Sequence, residues 1–124
     1  FTDRTMRFIA TEIIREKIFE NYQKEIPYST EVVINRYEEG AKGDAVIEAT
    51  IYVERESQKN IVIGHQAEKL KKISMASRKT LEEMTGCKIH LYIFVKVLPN
   101  WRSREHVLKQ LGYEASKDKK NPKS

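Results

Sequence analysis

The sequence predicts an α+β fold in which helices cover one face of a three-stranded sheet. Residues 45–53 and 89–97 alternate apolar and polar side chains as half-buried strands do. Residues 2–22 and 67–85 repeat apolar side chains at helical spacing. Gly64 interrupts a short apolar segment before the second of these helices. The predicted order is therefore α-β-β-α-α-β, with one more helix closing the chain.

The composition describes a single globular domain with a polar surface. The chain has 124 residues, of which 40% are hydrophobic and 33% charged, and this length supports one hydrophobic core. No apolar run approaches the ~20 residues of a membrane-spanning helix, and no signal peptide opens the sequence. The single cysteine, Cys87, suits a reducing compartment such as the cytoplasm. Because the sequence opens with Phe1 in a helical pattern, we interpret it as a piece of a longer protein.

Positive charge is concentrated in one window of the sequence. The formal net charge is +5, and residues 57–79 contain six cations but a single anion, Glu68. This window therefore carries the whole positive excess. A localised cationic face favours a polyanionic partner. The six cations are Lys59, Lys69, Lys71, Lys72, Arg78 and Lys79.

The first predicted helix begins at Thr2 or Asp3, either of which can cap it, and ends near Tyr22. Phe8 and Phe19 lie outside its buried stripe. They either pack against the C-terminal segment of the chain or form a docking surface for a neighbouring domain. The core-facing residues of this helix are Met6, Ile9, Ala10, Ile13, Ile14 and Ile18.

A β-hairpin is predicted next. Residues 30–38 form a strand with Val32 and Ile34 inward, residues 39–44 form a turn, and residues 45–55 form the second strand. The hairpin is antiparallel. Periodicity alone does not show how the third strand pairs.

Two helices that meet at Gly64 are predicted after the hairpin. Ser57 can cap a short helix that runs through Ile63. The long helix over residues 67–85 ends at Gly86. The predicted buried stripe of this long helix consists of Leu70, Ile73, Ser77, Leu81 and Met84.

The C-terminal part contains the third strand over residues 89–97 and a short closing helix over residues 101–112. The polar, lysine-rich residues 114–124 are predicted to be a disordered tail. The domain therefore covers residues 1–113. The outer face of the third strand presents His90, Tyr92 and Phe94.

The junction of the two helices, residues 64–67, has the properties of a phosphate-binding site. Backbone amides that open a helix lack intrahelical partners, and the helix dipole attracts anions. A small residue lets a sugar-phosphate backbone approach, so this junction can hold single-stranded nucleic acid with its bases in a neighbouring apolar groove. His65 either donates to a phosphate or is an ordinary exposed loop histidine. The candidate binding residues are Gly64, His65, Gln66 and Ala67 at the junction, Ile61, Val62 and Arg55 at the groove, and Lys59, Lys69, Lys71 and Lys72 around it.

No catalytic or metal-binding pattern accompanies the junction. His65, His90 and His106 lie at no spacing that pairs them with a cysteine or with one another as metal ligands. Cys87 has no histidine at a catalytic interval and is predicted to be a small buried side chain. The sequence contains no G-x-x-x-x-G-K-[ST] nucleotide-binding loop. We therefore predict neither an enzyme nor a cofactor.

Several segments resemble the C-terminal region of the Era family of bacterial GTPases. They occur in the same order and cover the chain to about Tyr113. The segment Ile61-Val62-Ile63-Gly64, followed by a lysine-rich helix between two strands, is similar to the core of a KH module. The matching segments are residues 7–18, 26–29, 51–59, 61–64 and 95–97, Trp101-Arg102 and residues 111–113.

This resemblance implies a type II KH domain that binds the single-stranded 3′ end of 16S ribosomal RNA in assembly of the small ribosomal subunit. It also implies an N-terminal GTPase domain in the parent protein, so GTP hydrolysis would not belong to this chain. The KH signature corresponds to residues 64–67 and departs at Ala67, where the family has glycine. This alanine would either crowd a phosphate or exclude a positive φ, or it would be nearly harmless because alanine suits the first turn of a helix.

Two other partner classes are consistent with the sequence. A degenerate KH module could act in protein–protein or interdomain contacts through the side of the first helix that carries Phe8 and Phe19. The basic face and tail could also attract the inner membrane peripherally. This last hypothesis ranks low because no amphipathic anchor accompanies the charge.

Overall fold

The computed structural model describes residues 2–104 and Lys109. It confirms the predicted α+β class and the order of the elements. The predicted tail and most of the predicted closing helix lie outside the described residues. The described start of that predicted helix, residues 101–104, forms a short 3-10 helix. The helices and strands are α1 (Asp3–Asn21), β1 (Glu31–Glu39), β2 (Ala45–Val53), α2 (Glu56–Ile63), α3 (Glu68–Thr85) and β3 (Ile89–Val97).

The sheet has the order β1-β2-β3. The first two strands form the predicted antiparallel hairpin, with a bulge between Ile34 and Arg36. The third strand runs parallel to β2, in register from Ala45 opposite Ile89 to the end of both strands. Among the described residues, β3 is therefore an edge strand.

The helices cover one face of the sheet and form a single main core with it. The stripe predicted for α1 is confirmed, and Ala10 and Ile14 are completely buried. On α3 the prediction is confirmed for Ile73 and Leu81 but is wrong for Met84, which is 49% exposed. Helical periodicity identifies the side of a helix that faces the core. It does not show at which residue the neighbouring elements stop covering that side, and Met84 lies in the last turn of α3.

The entry into α2 differs from the prediction. The helix begins at Glu56 rather than at a capping Ser57, and β2 ends at Val53. The side-chain oxygen of Gln58 accepts hydrogen bonds from the amides of Glu54 and Arg55, each at 3.0 Å. These two amides donate to a residue that is only 4% exposed instead of to a neighbouring strand. Strand β2 therefore ends before them, and helix α2 begins at Glu56.

None of the described helices is both long enough and apolar enough to cross a membrane.

Candidate nucleic-acid interface

The junction of α2 and α3 is a tight turn with an unusual backbone. Helix α2 ends at Gly64, whose φ of 77° and ψ of 176° place it in a region that is essentially restricted to glycine. Gln66 and Ala67 are both left-handed, with φ angles of 52° and 61°. The amide of Ala67 donates to the carbonyl of Gly64 at 3.2 Å and closes the turn. We call residues 64–67 the corner.

The corner lies very close to the first turn of α3. A Cβ atom built on Gly64 would be 3.0 Å from both Cβ and Cγ of Lys69 and 3.1 Å from its backbone nitrogen. His65 and Gln66 are exposed. No side chain caps the start of α3, so an anion at the corner would meet backbone amides and the positive end of the helix dipole.

Ala67 adopts the left-handed conformation and precedes α3 rather than belonging to its first turn. Two predictions for this residue are therefore corrected, whereas crowding of a phosphate by its methyl group stays a prediction. The alanine does not exclude a positive φ, and it does not occupy a helical position. A left-handed L-residue carries a cost of about 1–2 kcal/mol, which the rest of the fold must offset.

Replacing Ala67 with glycine should therefore stabilise the domain. We expect the free energy of unfolding to rise by about 0.5–1 kcal/mol, because glycine adopts a positive φ without the steric cost but loses more entropy on folding. Urea denaturation measures this change. The matched control is Ala76→Gly, the same substitution inside α3, which should instead destabilise by about 1 kcal/mol. A loss of stability in both variants would contradict the left-handed assignment.

The cations around the corner form no salt bridge with the described part of the chain. Lys69 is engaged in another way, because its Nζ lies 5.2 Å from the centre of the Tyr22 ring. Lys71 and Lys72 are exposed, whereas Lys59 is half-buried. The charge concentration seen in the sequence is thus present as positive side chains without acidic partners in the described residues.

An apolar groove lies between α3 and the edge strand β3. Its volume is about 350 Å³. The groove starts at the first turns of α3, directly after the corner, so one strand of nucleic acid could contact both. Its lining residues are Leu70, Lys71, Ser74, Met75, Leu91, Tyr92, Ile93 and Phe94.

The groove is not where the sequence analysis placed it. The Val62 side chain is completely buried, so it does not line the groove, and its contact with RNA stays a prediction that this burial argues against. Ile61 is 49% exposed and Arg55 is exposed, but neither lines the groove. Apart from Lys71, the sequence analysis did not name as binding residues those of β3 and of the first half of α3 that line this groove. Two signals could have found them, namely the outward aromatic residues of β3 and an apolar residue, Met75, on the outer side of α3.

The other histidines, cysteine and acidic residues that the structure describes lie away from the corner or form no metal site. In the part of the chain that the structure describes, no group of His, Cys, Asp and Glu could hold a metal ion. His90 pairs with Asp44 at 3.2 Å at the opposite end of the sheet, and Cys87 is half-buried beside Thr85.

Comparison with known families gives a match to the KH domain model over residues 25–102, which is more than half of the chain. Among curated proteins, the chain is 48% identical to GTPase Era of Geotalea uraniireducens and 43% identical to GTPase Era of Lactobacillus helveticus, each over 113 residues. These alignments cover 91% of this chain but 38% of the relatives. The chain therefore spans well under half the length of the curated relatives it matches.

Among the solved structures that are similar to this chain are two of Era. One is a variant of Aquifex aeolicus Era bound to GDP and AlF4−, and the other is Era in complex with MgGDPNP and nucleotides 1506–1542 of 16S ribosomal RNA. Each gives a TM-score of 0.78 at 37% identity and covers 87% of this chain and 36% of the matched chain. The chain therefore belongs to the KH domain family and corresponds to the type II KH domain of the bacterial GTPase Era.

Proposed function

We propose that this chain binds single-stranded RNA along the corner and the groove. The observation that carries the proposal is that the uncapped start of α3 directly adjoins an apolar groove bordered by Lys71. The backbone amides and the lysines supply a site for phosphates, and the groove supplies a surface for unstacked bases. A duplex would not expose its bases to such a groove, so the arrangement selects a single strand.

We infer that the ligand is the 3′ end of 16S ribosomal RNA and that binding serves assembly of the small ribosomal subunit in the cytoplasm. The support is the similar Era structure, which holds nucleotides 1506–1542 of that RNA. In this proposal the chain contributes RNA binding and no catalysis. GTP hydrolysis belongs to an N-terminal GTPase domain of the parent protein.

The proposal is tested by titrating a fluorescently labelled RNA of about 12 nucleotides from the 16S 3′ end with the protein. Affinity should fall steeply between about 50 and 200 mM salt, because phosphate contacts release counterions. The same sequence annealed to its complement is the matched control and should bind much more weakly. Equal binding of both RNA forms, or affinity that does not change with salt, would contradict the proposed site.

A second candidate function is docking of a protein or a neighbouring domain on α1. Phe8 is 67% exposed and Phe19 is 46% exposed, and Phe19 packs edge-on against Tyr28, which is itself 67% exposed. The other alternative, packing of both rings against the C-terminal segment, concerns residues outside the described ones. Association with a protein that does not change with salt, together with no binding to RNA, would select this candidate. Peripheral membrane association stays a prediction that sedimentation with anionic liposomes tests.

A further inference from the structure

Tyr22 links the end of α1 to both sides of the corner. Its side chain is only 4% exposed, and its hydroxyl donates a hydrogen bond to the carbonyl of Val62, two residues before Gly64. Its ring lies under the ammonium group of Lys69, in the first turn of α3. Burial raises the pKa of the Tyr22 phenol to about 12, so the hydroxyl stays protonated, and therefore a donor, in alkaline solution as well as at neutral pH.

The corner needs such support. Gln66 and Ala67 are consecutive left-handed residues, and neither is a glycine. Non-glycine residues keep this conformation only where the surrounding structure holds them in it. Tyr22 is well placed for this, because it holds the end of α2 through Val62 and the start of α3 through Lys69.

We propose that Tyr22 is a positioning residue for RNA binding, which holds the two arms of the corner at the separation at which the start of α3 faces a phosphate. Its effect on RNA rests on the proposed function, whereas its effect on the corner does not. Tyr22 itself is buried and does not touch the RNA. It acts through the Val62 backbone and the Lys69 side chain, which it holds in place.

The test is Tyr22→Phe, which removes the hydroxyl but keeps the ring under Lys69. The matched control is Tyr37→Phe. Tyr37 is also buried, at 5% exposure, and donates a hydrogen bond to Glu39 at 2.9 Å, but it lines a cavity with Thr85 at the far end of α3. We expect Tyr22→Phe to weaken RNA binding about fivefold, the size of one lost hydrogen bond, and Tyr37→Phe to leave it unchanged.

Amide hydrogen exchange over residues 64–69 gives a readout that does not need RNA. Exchange there should be faster in Tyr22→Phe and unchanged in Tyr37→Phe. If the parent chain fails to bind RNA, the proposed function is wrong, but this comparison still decides the role of Tyr22. The inference is wrong if Tyr22→Phe exchanges its amide hydrogens over residues 64–69 at the same rate as the parent. If the parent binds RNA, an unchanged RNA affinity in Tyr22→Phe would also overturn it.

A double variant separates positioning from a general loss of stability. If Tyr22 holds Ala67 in its left-handed conformation, Ala67→Gly should improve RNA affinity more in the Tyr22→Phe background than in the parent. Strictly additive effects would show a merely structural role and overturn the inference. If Tyr22→Phe does not fold, Lys69→Gln is the second variant, because it removes the contact between the ammonium group and the Tyr22 ring from an exposed position. This variant should also accelerate amide exchange at the corner. An exchange rate equal to that of the parent would overturn the inference.

Discussion

Replacing Gly64 with alanine should destabilise the domain by about 3 kcal/mol, because two separate costs add. The first is conformational, since a φ of 77° with a ψ of 176° is essentially restricted to glycine. The second is steric, since the new Cβ would lie 3.0 Å from Cβ and Cγ of Lys69 and 3.1 Å from its backbone nitrogen. The side chain of Lys69 could move, but its backbone belongs to α3 and could move only with the helix. Urea denaturation with an unchanged m-value measures this loss.

Gly86 offers a matched control at the other end of the same helix. It also has a positive φ, 74°, but its ψ of 9° places it in the left-handed helical region, and nothing lies within 4 Å of a Cβ built there. Gly86→Ala should therefore carry only the conformational cost of about 1 kcal/mol. The difference between the two variants reports the steric contact with α3 together with the higher conformational cost of a non-glycine residue at the Gly64 backbone angles. Equal losses in both would mean that α3 is not held against Gly64.

The boundaries of α3 were predictable because glycine acts locally. Gly64 and Gly86 have positive φ angles that most other residues avoid, so each ends a helix whatever the rest of the fold does. The conformation of Gln66 and Ala67 was not predictable in this way. Both residue types favour right-handed helix, and they are left-handed here because contacts from distant parts of the chain hold the corner. Tyr22, which is more than 40 residues away in sequence, contacts Val62 and Lys69 on the two sides of the corner.

The position of the groove was not predictable for a topological reason. Alternation identified β2 and β3 as strands, but it does not show which strand occupies an edge of the sheet. The apolar run at the end of α2 was equally ambiguous, because helix α2 has only 8 residues and shows no clear stripe. Packing then buries Val62 completely and leaves Ile61 49% exposed, although the two are neighbours with similar side chains.

Replacing Lys71 with glutamate should weaken RNA binding about tenfold, which corresponds to about 1.4 kcal/mol. The sequence alone treats Lys69, Lys71 and Lys72 alike, but the structure separates them. Lys71 lines the groove together with Ser74, whereas Lys69 lies over the Tyr22 ring. A negative charge at Lys71 would face the phosphates of a strand that passes from the corner into the groove.

Lys72→Glu is the matched control, since it makes the same change in net charge one residue further along the exposed side of α3. Successive helical residues are about 100° apart around the axis, which turns Lys72 away from the groove. We expect its loss to be about twofold, through the overall field alone. The salt dependence should distinguish the variants further. Lys71→Glu should reduce the slope of log K against log salt by about 0.7 for one lost phosphate contact, and Lys72→Glu should leave it unchanged. Equal losses and equal slopes would mean that the RNA responds only to net charge, and the strand would then not follow the groove between α3 and β3.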